Sequence, residues 1–373
     1  MPTPTRFQVD LDALNANLAA ARELAGGRKV LAAVKANAYG HGLVPVARSI
    51  QDGGSAEWLG VALTAEATRL RAAGITLPVL KFTPTLPDDM AEAVSSEVTL
   101  TMGDEASIRS AQDAASGVGR VLDVHLTVDT GMRRVGAEPA DVERLARLLA
   151  DSPNLRVGGV CTHLPISDVA AGDDFTRAQL ARFDEAVAAA ESVLGPIELV
   201  HAANSGAVLG HDLGRTNMVR PGIMIYGSYP DPTTAHTRPL RDVGRWTSRV
   251  TFLKRIRAGE TVGYGRTWTA PADTWIATVA VGYGDGYSRL NSSRGRMLID
   301  GASYPIVGRV CMDQTMLDLG PEPPSVRVGE EVVVMGTSGA ERIGVEELAD
   351  LMGTITYEVT CLISDRVPRD YTP

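Results

Sequence analysis

The chain has 373 residues, 44% of them hydrophobic and 22% charged, a composition that suits a globular protein with room for two cores. Its net charge of −9 argues against nucleic acid or an anionic membrane surface as a main partner. Three scattered cysteines lack C-x-x-C spacing and six histidines lack H-x-x-x-H spacing, so neither a disulfide framework nor a bound metal is expected.

The N-terminal segment MPTPTRFQVD carries no apolar signal core, and no later run is long and apolar enough to span a membrane. A cytoplasmic protein is therefore expected. Eight strand-like runs follow, near Val30–Val34, Leu59–Leu63, Val79–Phe82, Val98–Met102, Leu122–Val128, Val157–Thr162, Ile197–His201 and Met218–Ile225. Most are separated by alanine- and leucine-rich stretches of helical period, clearest from Phe175 to Val193. Strict alternation predicts parallel strands with right-handed crossovers, and eight repeats predict closure into a (β/α)8 TIM barrel. The rhythm changes after the Pro/Thr-rich stretch Tyr229–Pro239, where short runs alternate with Gly, Asn and Ser turns. That pattern predicts a mostly antiparallel β-domain with one helix around Gly344–Met352. The expected division is a barrel over residues 1–235 and a β-domain over 236–373.

Barrel enzymes carry their working residues at the carboxyl ends of the strands. Those ends hold Lys35, the segment Asp129–Arg134, His163, Ala203-Asn204-Ser205 and Arg220-Pro-Gly222-Ile223. Lys35 stands out, because only four lysines occur among 36 basic residues and this one closes an apolar run. A desolvated lysine amine can act as nucleophile or base, which arginine cannot. An amine, an imidazole, two arginines and a cluster of Ser/Gly donors suit an anionic, phosphate-bearing aromatic ligand, to whose aldehyde a lysine could form a Schiff base. Each residue also has a plainer reading: Lys35 as a snorkelling strand end, His163 as a hydrogen-bonded structural histidine, Arg220 as a surface ion-pair partner. The single Asp129-Thr-Gly lacks the second carboxylate that an aspartic protease needs. Gly282–Tyr287 (GYGDGY) imitates a nucleotide loop but lies outside any βαβ unit, and reads as a β-turn.

Together these segments resemble the alanine racemases, pyridoxal 5′-phosphate (PLP) enzymes of fold type III. The likeness runs through AVKANAYGHG (Ala33–Gly42), VDTGMRRVG (Val128–Gly136), HAANS (His201–Ser205) and VRPGIMIYG (Val219–Gly227). In the second half it continues through GYGRT (Gly263–Thr267), VGYGDGY (Val281–Tyr287), VGRVCMDQ (Val307–Gln314), YEVTC (Tyr357–Cys361) and RVPR (Arg366–Arg369). The resemblance implies a homodimeric, cytoplasmic isomerase that interconverts L- and D-alanine, a small-molecule substrate, and supplies D-alanine for peptidoglycan. It makes Lys35 the Schiff-base lysine and the base on the D-face, and Tyr264 the base on the L-face. A phenol is a poor base near neutrality unless its surroundings stabilise the phenolate. The resemblance assigns that help to His163, held by Arg220, which also faces the pyridine nitrogen. It assigns the cofactor phosphate to Tyr39, Ser205, Gly222, Ile223 and Tyr357, with Asn204 beside them. Arg134 and Met312 would contact substrate, and Tyr264 and Met312 would enter the site from the partner subunit.

Two positions depart from the family pattern. Thr127 stands where many members carry a carbamylated lysine that pairs with the arginine matching Arg134. Pro165, in His163-Leu-Pro-Ile-Ser-Asp168, replaces a small residue and stiffens the loop after the histidine. Both leave open a racemase for serine or a broader set of amino acids. A fold-type III decarboxylase or a non-catalytic PLP-binding protein fits less well, because Tyr264 supplies a second base and a β-domain follows the barrel.

Overall fold

The computed structural model describes residues 3–373; Met1 and Pro2, the first residues of the N-terminal segment read above, lie outside that range. The chain divides into two compact units.

The larger unit runs from Leu14 to Arg241, apart from Tyr39–His41. Its strands are Lys29–Ala33, Trp58–Val61, Val79–Lys81, Thr99–Met102, Leu122–Thr127, Leu155–Cys161, Leu199–His201 and Met218–Val219. They pair in parallel in that order, and Met218–Val219 returns to pair with Lys29–Ala33. The one unpaired seam lies between Leu199–His201 and Met218–Val219, and Asn217 closes it. Its N–H donates to Val200 O (2.9 Å) and its Oδ1 accepts from the Val200 N–H (2.8 Å). Largely apolar runs form these strands because both faces are covered; Val30 to Val34 are all buried. Leu31, Leu80, Leu199 and Met218 fill the barrel interior, with Trp58 and Phe82 packed on them. Between the strands lie helices such as Asp173–Leu194, whose buried Thr176, Gln179, Phe183, Ala186, Val187 and Ala190 recur every three or four residues. The eighth strand is far shorter than its apolar run, because Pro221 lacks an N–H for a ladder and the chain turns into a 3-10 helix, Ile223–Tyr226.

The second unit joins the segment up to Ala13, Tyr39–His41 and residues from Asp242 onward. The chain passes from the larger unit to this one after Arg241, and the N-terminal strand Arg6–Asp10 belongs to this second unit. It pairs antiparallel with Gly244–Ile256 and parallel with Arg369–Thr372, and Phe7 and Val9 are fully buried there. Gly244–Ile256 also pairs with Thr274–Val279 and Glu331–Ser338. A register shift between Val250 and Phe252 bends it from one set of partners to the other. Ile256, Val262, Ala270, Ile276 and Val307 make a separate core cluster. The expected helix is present as Val345–Met352, followed by a second, Thr356–Cys361.

Candidate active site

Lys35 leaves the strand Lys29–Ala33 at its carboxyl end, half-buried, with Nζ 5.9 Å from the centroid of the Phe82 ring. The next residues form a left-handed turn: Ala36 (φ 52°, ψ 52°), Asn37 (54°, 44°), Ala38 (55°, 52°), then Tyr39 at φ 52°. None is glycine, and left-handed backbone costs L-residues about 1–2 kcal/mol each. Such local strain marks a segment whose shape other contacts impose.

At the same end of the barrel, Arg220 is 7% exposed and its hydrogen-bonding partners include no carboxylate. Its guanidinium donates to Thr162 O (2.7 Å) and Ala202 O (3.0 Å), to His201 Nδ1 (2.7 Å) and, more weakly, to His163 Nδ1 (3.3 Å). Because arginine only donates, both Nδ1 atoms must accept. His163 is held neutral, with its pKa lowered to about 3 by burial and then by the charges of Arg220, Arg134 and Lys35. Its proton therefore sits on Nε2. His201 is likewise pushed well below the usual histidine value by burial and by Arg220. Its Nε2–H donates to His125 Nδ1, 2.8 Å away. That leaves the His125 hydrogen on Nε2, which has no partner among the described residues. Burial lowers the His125 pKa to about 3.

Ser205 Oγ accepts the N–H groups of Gly222 (2.9 Å) and Met224 (3.4 Å), so the hydroxyl proton remains available to an anion. Ile223 opens the 3-10 turn, where its N–H has no acceptor within the turn. The Asn204 side chain is held within the chain itself. Its Oδ1 accepts from Ser167 Oγ (2.7 Å) and Ala207 N–H (3.1 Å), and its Nδ2 donates to Leu164 O (2.9 Å). Its side chain thus clamps the Pro165 loop. Arg134 is exposed and, among the described residues, makes no hydrogen bond or ion pair. Thr127 Oγ1 lies 3.3 Å from Cys161 Sγ, so no charge occupies that position.

The second unit carries the remaining expected residues. Tyr264 sits at the tip of the hairpin formed by Thr261–Val262 and Trp268–Thr269, between Gly263 and Gly265, both at φ 72°. It is 72% exposed, and Met312 is 52% exposed. The GYGDGY segment is a tight turn that supports the Met312 loop, with Tyr283 N–H on Cys311 O (3.0 Å) and Gly284 N–H on Met312 O (2.8 Å). Tyr39 and Tyr357 lie with ring centroids 5.9 Å apart. Gly40 makes that approach possible, since a Cβ there would stand 2.0 Å from Thr360 O.

Residues overlooked in the sequence also belong to this site. His125 and His201 are imidazoles at fully buried strand positions, and polar rings inside two apolar runs were the available signal. Glu66 receives the Ala36 N–H (2.6 Å) across about 30 residues of chain, and no local pattern announces that pairing.

The donor set on the barrel is cationic and rich in N–H and O–H groups, with a buried guanidinium that lacks an acidic partner. It fits an anionic, phosphate-bearing group such as PLP. The barrel half of the chain matches the family model "Alanine racemase, N-terminal domain" over residues 9–230, and the remainder matches "Alanine racemase, C-terminal domain" over 243–371. The chain is 50% identical to the alanine racemase of Cutibacterium acnes, covering 99% of this chain and 98% of that one. It is 43% identical to that of Symbiobacterium thermophilum, covering 99% and 97%. Among solved structures, the Bacillus anthracis alanine racemase with bound L-Ala-P superposes with a TM-score of 0.93 at 34% identity, covering 100% and 96%. The Streptomyces coelicolor alanine racemase superposes with 0.91 at 36% identity, covering 99% and 98%. The chain belongs to the alanine racemase family.

Proposed function

We propose that this chain is a PLP-dependent racemase that interconverts L- and D-alanine in the cytoplasm, with D-alanine supply for the cell wall as its role. The observation that carries the reading is the buried Arg220, without a carboxylate, donating to His163 at the barrel end that also holds Lys35. PLP, when bound, supplies an aldehyde for amino groups and an electron-withdrawing ring that acidifies the substrate Cα–H.

The chain's own residues supply the rest. Lys35 would hold the aldehyde and, when released, move a proton at Nζ on one face. Ser205, Gly222, Ile223, Tyr39 and Tyr357 would hold the phosphate. Arg220 offers a ring nitrogen only N–H donors and keeps its own protons, which restrains delocalisation into the ring. Arg134, without an internal ion pair, is available to a substrate carboxylate. Tyr264 would move the other proton at its phenolic oxygen. His163 supports that role, because its Nε2–H is the free donor once Nδ1 faces Arg220. Tyr264 and Met312 project from their own unit, which supports a homodimer in which each reaches the partner's site.

A second reading, a racemase that also accepts serine, is favoured by the Thr127–Cys161 pair at the position of the family's charged lysine. The test is chiral chromatography of the protein with PLP, incubated separately with L-alanine and L-serine. D-alanine forming much faster is expected. D-serine forming as fast would shift the reading to the broader racemase, and no product from either would overturn both.

A further inference from the structure

Four consecutive non-glycine residues in left-handed backbone need something to hold them. Part of the restraint is internal: Ala38 N–H donates to Val34 O (2.8 Å), Gly42 N–H to Asn37 O (2.8 Å) and Leu43 N–H to Asn37 Oδ1 (2.9 Å). These bonds fix the middle and end of the turn. Its first peptide, directly after Lys35, is fixed from elsewhere. The Ala36 N–H points at Glu66 Oε1, 2.6 Å away. Glu66 is a buried carboxylate on the helix Thr64–Ala72, and its other oxygen accepts the N–H groups of Ala62 (2.8 Å) and Leu63 (3.1 Å).

A glutamate at this place in a helix has an ordinary task, satisfying the backbone N–H just before the first turn. Oε2 performs it. Oε1 is not needed for capping, and it is the oxygen that reaches Ala36. The strands Lys29–Ala33 and Trp58–Val61 are neighbours in the barrel, and Val34 N–H still donates to Gly60 O (2.8 Å). Two residues later, at Ala36, the chain has left the ladder, and Glu66 takes over as acceptor. That carboxylate bond therefore falls on the peptide that directly follows the Lys35 side chain.

We infer that Glu66 is a positioning residue for Lys35: its carboxylate imposes the left-handed exit and so aims the amine at the cofactor. The inference rests on the functional reading above. Glu66→Gln replaces one acceptor oxygen with an NH2 group, which must then face either the Ala36 N–H or those of Ala62 and Leu63. Ala36→Gly keeps the N–H and removes the Cβ that makes left-handed backbone costly. If Glu66 holds the turn, the second change should rescue the first. A residue that only caps its helix would gain nothing from glycine at position 36.

The readouts are PLP affinity by absorbance titration and, in the apoprotein, the rate at which an amine-directed acylating reagent modifies Lys35, mapped by mass spectrometry. Glu66→Gln is expected to weaken PLP binding about ten- to a hundredfold and to alter Lys35 reactivity, with most of the affinity restored in the double variant. PLP affinity within about twofold of wild type, or loss without rescue by Ala36→Gly, would overturn the inference. Hydrogen exchange on the wild-type apoprotein requires no variant: a protected Ala36 amide supports the bond, and one exchanging like exposed loop overturns it. Wild-type protein that takes up no PLP would overturn the functional reading and this inference with it. Wild-type binding with an unaffected Glu66→Gln overturns the inference alone.

Discussion

Lowering the pH from 7.5 to 5.5 should destabilise this protein steeply, through the three imidazoles linked by Arg220. His125 and His163 have folded pKa values of about 3, and His201 lies well below its ordinary value. Burial is the first cause in each case. A depressed histidine pKa means that the folded state resists protonation while the unfolded chain accepts it near pH 6.5. The associated stability is complete above that value and is lost as pH falls toward the folded pKa. Each imidazole then contributes about 1.4 kcal/mol of loss between pH 7.5 and 5.5, and the three together about 4 kcal/mol. Carboxylates with lowered pKa, such as Glu57 and Asp370, act only below about pH 4.5 and leave this window clear. Urea denaturation followed by tryptophan fluorescence, at fixed protein concentration, measures the loss. The slope of unfolding free energy against pH should approach the uptake of about three protons on unfolding near pH 5.5. A change below about 1 kcal/mol would show that the imidazoles protonate in place, and the donor order from Arg220 through His201 to His125 would be wrong.

Tyr264→Phe should lower kcat for L-alanine by about 10²–10⁴ with little change in Tm, since the side chain is largely exposed in its own unit; full turnover would sink the two-base reading. Thr127→Lys should make turnover responsive to added bicarbonate, measured in carbonate-free buffer with and without it, if the new amine is carbamylated as the family resemblance implies. No response would mean that the Thr127–Cys161 contact belongs to a rebuilt pocket. Gly40→Ala places a Cβ 2.0 Å from Thr360 O at a backbone φ of 85°. It should cost about 3 kcal/mol or more in thermal unfolding and loosen the Tyr39–Tyr357 pair, and an unchanged Tm together with unchanged PLP affinity would refute that packing.

The barrel was legible because its physical requirement is simple. Strands covered on both faces need apolar runs, and Val30–Val34 is such a run in any context. Lys35, His163 and Arg220 were legible for the complementary reason, as polar residues at the ends of those runs. The strand Arg6–Asp10 was not, because Arg6 pairs opposite Thr247, and alternation alone does not name a partner so distant in sequence. The same limit hid Glu66, whose local pattern announces a helix cap and nothing about Ala36. Asn204 shows the reverse case: its motif was visible, while its hydrogen bonds to Ser167, Ala207 and Leu164 depend on how the loop folds back.

The direction of the proton network is likewise absent from the sequence, and it is the part that decides the chemistry. Three histidines and an arginine could be arranged with any imidazole charged. Here the guanidinium donates to Nδ1 of both His163 and His201, and a group that never accepts forces each ring to present its lone pair inward. Each Nε2–H must then point away from Arg220, and that of His201 meets His125. Burial keeps both rings neutral, so His163 offers a hydrogen bond and no transferable charge. That is the support a tyrosine base requires: a donor that stabilises the phenolate without protonating it. The acid sensitivity argued above and the proposed role of Tyr264 thus share one arrangement: burial keeps the rings neutral, and Arg220, held in the barrel without a carboxylate to answer it, adds to that effect and sets which nitrogen carries the hydrogen.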